Sequence, residues 1–306
     1  MKYVGVFVTA AVVTATAQTA PPLEVIPVRG GIYMVAGPSG NATLHVGRDG
    51  VLVVDPQSAE LSDRLLAEIR KLSDKPVRFV VNTTGDADHV GGNQAIAASG
   101  RILAGGNTRA ATVFATAGAP IWAHEGVLKR LTAEASEASA AWPTDTYFVA
   151  QKDLFVNGEP VQLFAAPAAH TDGDSLVMFR RSDVVSAGDV YTPDRYPVID
   201  VKHGGSINGL VDALNHLLRI TVPEFNQQGG TLVIPGHGHL SDEADVSEYR
   251  DMVTIVRDRI RDMVKKGMTF EQVKAAKPTF DYDGIYGADK GAVFIEQVYS
   301  SLRSQR

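Results

Sequence analysis

The chain predicts a mixed α/β (α+β) fold in which two packed sheets are covered by helices on both outer faces. Short apolar, β-branched runs fall into an N-terminal and a central group, and stretches with apolar residues at helical spacing lie between and after them. Organisation supplies the third observation. The 306 residues are 44% hydrophobic, enough for a sizeable core, and no Pro/Gly/Ser-rich linker, low-complexity tract or internal repeat divides them. One domain over residues 18–306 follows.

The elements can be read in order. Met1-Lys2 precedes an apolar run from Tyr3 to Val13, and Ala15-Thr16-Ala17 offers a small-x-small cleavage site, so residues 1–17 read as a secretory signal. The run is too short for an ordinary membrane-spanning helix, which favours release into a periplasm or the medium over anchorage. Strands are expected at 23–28, 32–35, 42–46 and 51–55, then a helix at 58–71 with Leu61, Leu65, Leu66 and Ile69 on one face. A strand at Phe79-Val80-Val81 ends where polar residues begin, and 94–98 reads as a short helix capped by Asn93. A strand at 101–104 and helical segments through 139 follow. Strands return at 147–149, 154–156, 161–164, 176–179 and 184–187; then come a helix at 207–218, a strand at 231–234 and a long helix at 242–266.

Charge and cysteine content limit the function classes. A net charge of −6 without any long Lys/Arg run argues against nucleic acid or an anionic membrane surface as the main partner and leaves a small-molecule substrate. With zero cysteines there are no disulfides and no thiolate ligands, so a metal site must be built from oxygen and nitrogen. Nothing in the sequence specifies an oligomeric state.

The chemistry concentrates in Asn82-Thr83-Thr84-Gly85-Asp86-Ala87-Asp88-His89-Val90-Gly91-Gly92-Asn93, a strand-to-helix loop. Further along lie His170-Thr171-Asp172-Gly173-Asp174-Ser175, Ser186-Ala187-Gly188-Asp189 and Val233-Ile234-Pro235-Gly236-His237-Gly238. Together with Val51-Leu52-Val53-Val54-Asp55 and Ala123-His124-Glu125-Gly126-Val127, these segments resemble, in order, those of the metallo-β-lactamase fold superfamily of metal-dependent hydrolases. The resemblance spans roughly residues 32–242 and implies a four-layer αββα sandwich.

It also implies a ligand set. The superfamily loop is usually written H-x-H-x-D-H, and its two leading histidines fall here on Thr84 and Asp86. In the superfamily those histidines and the equivalent of His170 hold one metal. The equivalents of Asp88, His89 and His237 hold a second, and that of Asp189 often bridges them. The second set is complete in this chain; in the first, only His170 matches. Asp86 is a carboxylate that can ligate, as in iron-binding relatives, so Zn2+ is expected, one ion or two, with an oxygen-rich first site leaning toward Mn or Fe. Its alternative role is a turn-capping aspartate. Thr84 is expected to hydrogen-bond a ligand or water, and Asp55 to orient a ligand from behind.

The remaining polar residues have plainer readings. Register favours His237 over His239, His124 caps or packs on its helix, and Asp172 and Asp174 form a turn. His45, His203 and His216 have no motif around them, and Tyr191 and Tyr196 belong to the core before they belong to a substrate surface. The expected function is metal-assisted hydrolysis by activated water, with Asp88 or Asp86 moving the proton. Relatives cleave β-lactams, lactones, thioesters and phosphoesters, and export favours the first two. Two other classes stand beside it: a degenerate pseudoenzyme that binds a metal or ligand, and an iron-dependent redox protein suggested by Asp86.

Overall fold

The computed structural model describes residues 22–101, 118–135, 137–225 and 228–304. The expected signal at 1–17 lies outside the described residues, as does most of the expected strand at 101–104. Strands β1 (Glu24–Arg29), β2 (Ile32–Gly37), β3 (Gly40–Gly47) and β4 (Gly50–Val54) form an antiparallel meander. Helix α1 (Ser62–Leu72) then carries the chain across to β5 (Val77–Val81), parallel to β4. Two further parallel strands, β6 (Ile121–His124) and β7 (Asp145–Tyr147), complete a seven-stranded sheet in chain order.

The second sheet has five strands in the order β12-β11-β10-β9-β8. Its strands β8 (Gln151–Val156), β9 (Glu159–Ala165), β10 (Ser175–Phe179) and β11 (Val184–Gly188) are antiparallel, and β12 (Leu232–Pro235) lies parallel to β11.

Alternation along the strands sorts their side chains between two faces, so three apolar layers form. Between the sheets, Ile32, Met34, Leu52, Val54 and Val81 of the first meet Val161, Leu163, Val177, Phe179 and Ile234 of the second. Outside the first sheet, Val35, Leu44, Val51, Val53 and Val80 pack on α1 and on α3 (Asn93–Ala98) through Leu65, Ile69 and Ile96. Outside the second, Leu176, Met178, Val185 and Val233 pack on α5 (Ile207–Ile220), α6 (Glu243–Lys265) and α9 (Ala288–Ser304). In α5, Leu210, Leu214 and Leu217 follow one helical stripe and are fully buried, each contributing roughly 1.5–3 kcal/mol. The expected αββα layering is what the chain adopts.

Three local expectations differ. Residues 121–124 form a strand inside a stretch read as helical, because Ile121 and Trp122 pair with Val80 and Val81 and bury Ile121 and Ala123; four residues are too few for periodicity to reveal. Asn93 does not cap its helix; its amide pairs reciprocally with Asn82 at 2.9 Å in both directions. The strand expected at 147–149 ends at Tyr147, leaving Phe148 exposed. Beyond α6 the chain adds α7 (Phe270–Ala275), α8 (Asp283–Tyr286) and α9, the first capped by a Thr269/Gln272 box. Among the described residues no helix is long and apolar enough to cross a membrane.

Candidate metal centre

The site is built where strands of both sheets end. Asp55 follows β4, the 82–93 loop with its single helical turn α2 (Ala87–Val90) follows β5, Asp189 follows β11 and His237 follows β12. The Asn82–Asn93 amide pair, with Asn93 also donating to Ala141 O at 2.8 Å, clamps the base of the loop. Two glycines are dictated by space. Gly188 has φ +51° and lies against the Thr83 side chain, while a Cβ on Gly236 would strike the Asp189 carboxylate.

One corner gathers Asp88, His89 and His237, whose donor atoms all lie within 4.8 Å of one another, with Asp189 beside them. His237 Nε2 is 3.2 Å from Asp88 Oδ2 and 3.5 Å from Asp189 Oδ1, and His89 Nε2 is 3.4 Å from the same Asp189 oxygen. These are the spacings of donors around one cation: a tetrahedron with bonds of about 2.1 Å has edges of about 3.4 Å. His89 Nε2, His237 Nε2 and Asp189 Oδ1 are also buried without any hydrogen-bond partner among the described residues. Orphaned buried polar atoms of this kind are costly unless something binds them. The donor set, two imidazoles and two carboxylates, fits zinc or a similar divalent ion.

Behind this corner, Asp55 Oδ2 sits 3.0 Å from His89 Nδ1, and Asp55 also accepts from Thr83 N at 2.8 Å and from the Thr83 hydroxyl. Burial by itself would depress the His89 pKa, but Asp55 and Asp189 beside it raise it well above the ordinary value. Burial likewise works against the anionic form of Asp189, yet His89, His170 and His237 outweigh it and hold the carboxyl well below the usual range. Asp88 is lowered too, against its own burial, chiefly by His237, whose Nε2 lies 3.2 Å from its carboxylate.

A second corner contains Asp86, His170 and Asp189. Asp86 Oδ1 accepts from Arg130 Nη2 at 2.7 Å, and Asp86 Oδ2 lies 2.7 Å from His170 Nε2 and accepts from the Thr84 hydroxyl at 3.3 Å. The His170 Nδ1 atom is 2.9 Å from Val198 O. Burial would lower the His170 pKa, but the Asp86 bond and the nearby Asp174 and Asp189 push it up to about 10. Asp86 is held well below the carboxylate range despite burial, by His170 and Arg130.

The structure thus brings together Asp86, Asp88, His89, His170, Asp189 and His237, with Thr84 and Asp55 in contact behind them. His239 instead turns to Asp194 at 2.7 Å. His124 accepts from Gly126 N at the start of α4 (Glu125–Glu134) and stacks edgewise on Tyr147. Asp174 accepts from both Thr171 N and Thr171 Oγ1, closing the turn after His170. Tyr191 and Tyr196 are buried and bonded to Ser241 and Asp283. His45 pairs with Glu159, His203 with Asp200, and His216 packs on Phe164.

Arg130 is the residue that sequence reasoning passed over. Its signal was a charge placed beside Val127 and Leu131 on the buried side of α4, where a helix is expected to be apolar. Arg195, with Nη2 4.0 Å from Asp189 Oδ1, is a second cation at the rim.

Comparison with known proteins agrees with this architecture. Among solved structures, the stereoselective inverting sec-alkylsulfatase Pisa1 from Pseudomonas sp. superposes with a TM-score of 0.68 at 14% identity, covering 91% of this chain and 50% of that one. The chain therefore spans half the length of the sulfatase. A metallo-β-lactamase from Pontibacter korlensis gives 0.57 at 16% identity, covering 76% of this chain and 99% of that one. The DIM-1 metallo-β-lactamase gives 0.57 at 17% identity, with 76% and 98% covered. No curated protein matches. The family model described as the metallo-beta-lactamase superfamily matches residues 36–237, most of the chain and all of the histidine and aspartate cluster, so the chain belongs to the metallo-β-lactamase superfamily.

Proposed function

We propose that this chain is an exported metal-dependent hydrolase that cleaves an ester- or amide-type bond in a small molecule, using a divalent ion held by Asp88, His89, Asp189 and His237. The observation that carries the reading is the set of orphaned donor atoms, His89 Nε2, His237 Nε2 and Asp189 Oδ1, with the two nitrogens 3.4 and 3.5 Å from that oxygen, the edge length of a tetrahedral site. A cation held by these four residues would supply Lewis acidity, polarising a substrate oxygen and lowering the pKa of water toward neutrality. Asp55 fixes the His89 ring so that Nε2 faces the ion. Asp88, anionic and about a third exposed, accepts a proton and passes it to solvent. The two carboxylates among the ligands offset much of the ion's charge, so turnover is expected to be modest.

Fold does not select the substrate. The apolar run and small-x-small site at the N-terminus support a periplasmic or secreted location, which favours β-lactams or lactones; the alkylsulfatase neighbour adds sulfate esters to the panel. The test is hydrolysis of a chromogenic cephalosporin, an acyl lactone and an alkyl sulfate by zinc-loaded protein. One of these should turn over, stop on addition of a chelator, and fall about a hundredfold or more in His237→Ala. Zinc bound without turnover of any would favour the pseudoenzyme reading, for which the closed Arg130–Asp86–His170 corner is the supporting observation.

A further inference from the structure

The superfamily places a first metal where Thr84, Asp86 and His170 stand, and in this chain those donors are engaged elsewhere. Both oxygens of Asp86 have short partners, Arg130 Nη2 and His170 Nε2, each at 2.7 Å. The latter distance is that of a hydrogen bond and is shorter than the edge of about 3.4 Å that two ligands of one ion require. His170 has no other nitrogen to offer, since Nδ1 faces the Val198 carbonyl, which only accepts, and so carries a proton. Thr84 turns its hydroxyl to Asp86. A three-histidine metal site does not fit this corner.

What fills the corner is a cation already. Arg130 reaches Asp86 from α4, 44 residues along the chain, with its side chain only 15% exposed. It runs alongside Gly85, where a Cβ would lie in ordinary van der Waals contact with Arg130 Cδ at 3.4 Å. Its Nη1 is buried without a hydrogen-bond partner among the described residues, so one guanidinium nitrogen is fixed on Asp86 while another is left free. Guanidinium cannot lose its charge in a protein, whereas a bound metal can leave.

We propose that the Arg130 guanidinium replaces the first metal: it is the fixed cation that holds Asp86, and through Asp86 the His170 ring, so that the chain binds a single divalent ion in the Asp88–His89–Asp189–His237 corner. Arg130 is a positioning residue in this scheme, not a ligand. The inference rests on the metal site proposed above, and the experiment separates the two.

Elemental analysis after loading with excess Zn2+ and desalting reads the stoichiometry directly, in wild type, Arg130→Met, Arg130→Lys and His237→Ala, each checked for folding by circular dichroism. Methionine keeps an aliphatic stem in the buried channel and removes the charge; lysine restores a charge. Wild type should hold about one ion per chain, Arg130→Met about two, and Arg130→Lys about one again. About two ions in wild type, or one in a folded Arg130→Met, overturns the replacement. No ion in wild type but one in Arg130→Met would retain the guanidinium's role while sinking the hydrolase site. Loss of the wild-type ion in His237→Ala places that ion in the proposed corner, and its retention there overturns the single-site assignment.

Discussion

His89 is enclosed by carboxylates, with Asp55 on one ring nitrogen and Asp189 near the other. Asp55 adopts φ +53°, a conformation asparagine tolerates better than most residues, so Asp55→Asn tests its charge with little backbone strain. The neutral amide should loosen the ring's orientation and lower zinc affinity about 10–100-fold, measured by competition with a chromophoric chelator. An affinity equal to wild type would show that packing alone orients His89. At this scale the sequence was informative about Asp88, His89, Asp189 and His237, because each sits on a short local motif at a strand end. It was silent about Arg130, whose meaning comes from a contact 44 residues away that no local pattern encodes. It also left the role of Asp86 open, since a carboxylate facing a metal and one facing a guanidinium look the same in one dimension.

Among the elements, the two sheets are joined at the end far from any motif by Glu159 at the start of β9. Its carboxylate accepts from Arg181 N, Ser182 N and Ser182 Oγ in the β10–β11 turn, and lies 3.1 Å from His45 Nε2 on β3. Burial raises its pKa, but the bonds from His45 and Ser182 outweigh this and hold it below the usual value. A carboxylate depressed in the folded state contributes stability fully above its unfolded pKa, about 4.3, and loses it as pH falls through the folded one. Glu159→Ala should therefore cost about 3 kcal/mol at pH 7 by urea unfolding, with the gap to wild type narrowing below about pH 4. A gap independent of pH would assign the loss to packing instead. Long amphipathic helices such as α5 and α6 were legible because their stripes repeat over several turns. The four-residue β6 and the shifted end of β7 were not, because pairing with β5 and with each other decides them.

Across the whole molecule, the proposed ion draws on both sheets. Asp88 and His89 follow β5 of the first sheet, while Asp189 and His237 follow β11 and β12 of the second. Without the ion, Asp88 and Asp189 both crowd His237 Nε2 across the layer boundary, with histidines and the rim residue Arg195 to neutralise them. An unfolded chain cannot assemble this set, so binding free energy adds to folding free energy. At a free zinc concentration about 100 times Kd the gain is about 2.7 kcal/mol, a rise in Tm of roughly 4–5 °C for a domain of this size. Differential scanning calorimetry at several zinc concentrations should show the rise in wild type and its loss in His237→Ala. Equal Tm values with and without zinc would mean that no ion bridges the two sheets, and that what the αββα sandwich retains here is the scaffold of the superfamily without its metal chemistry.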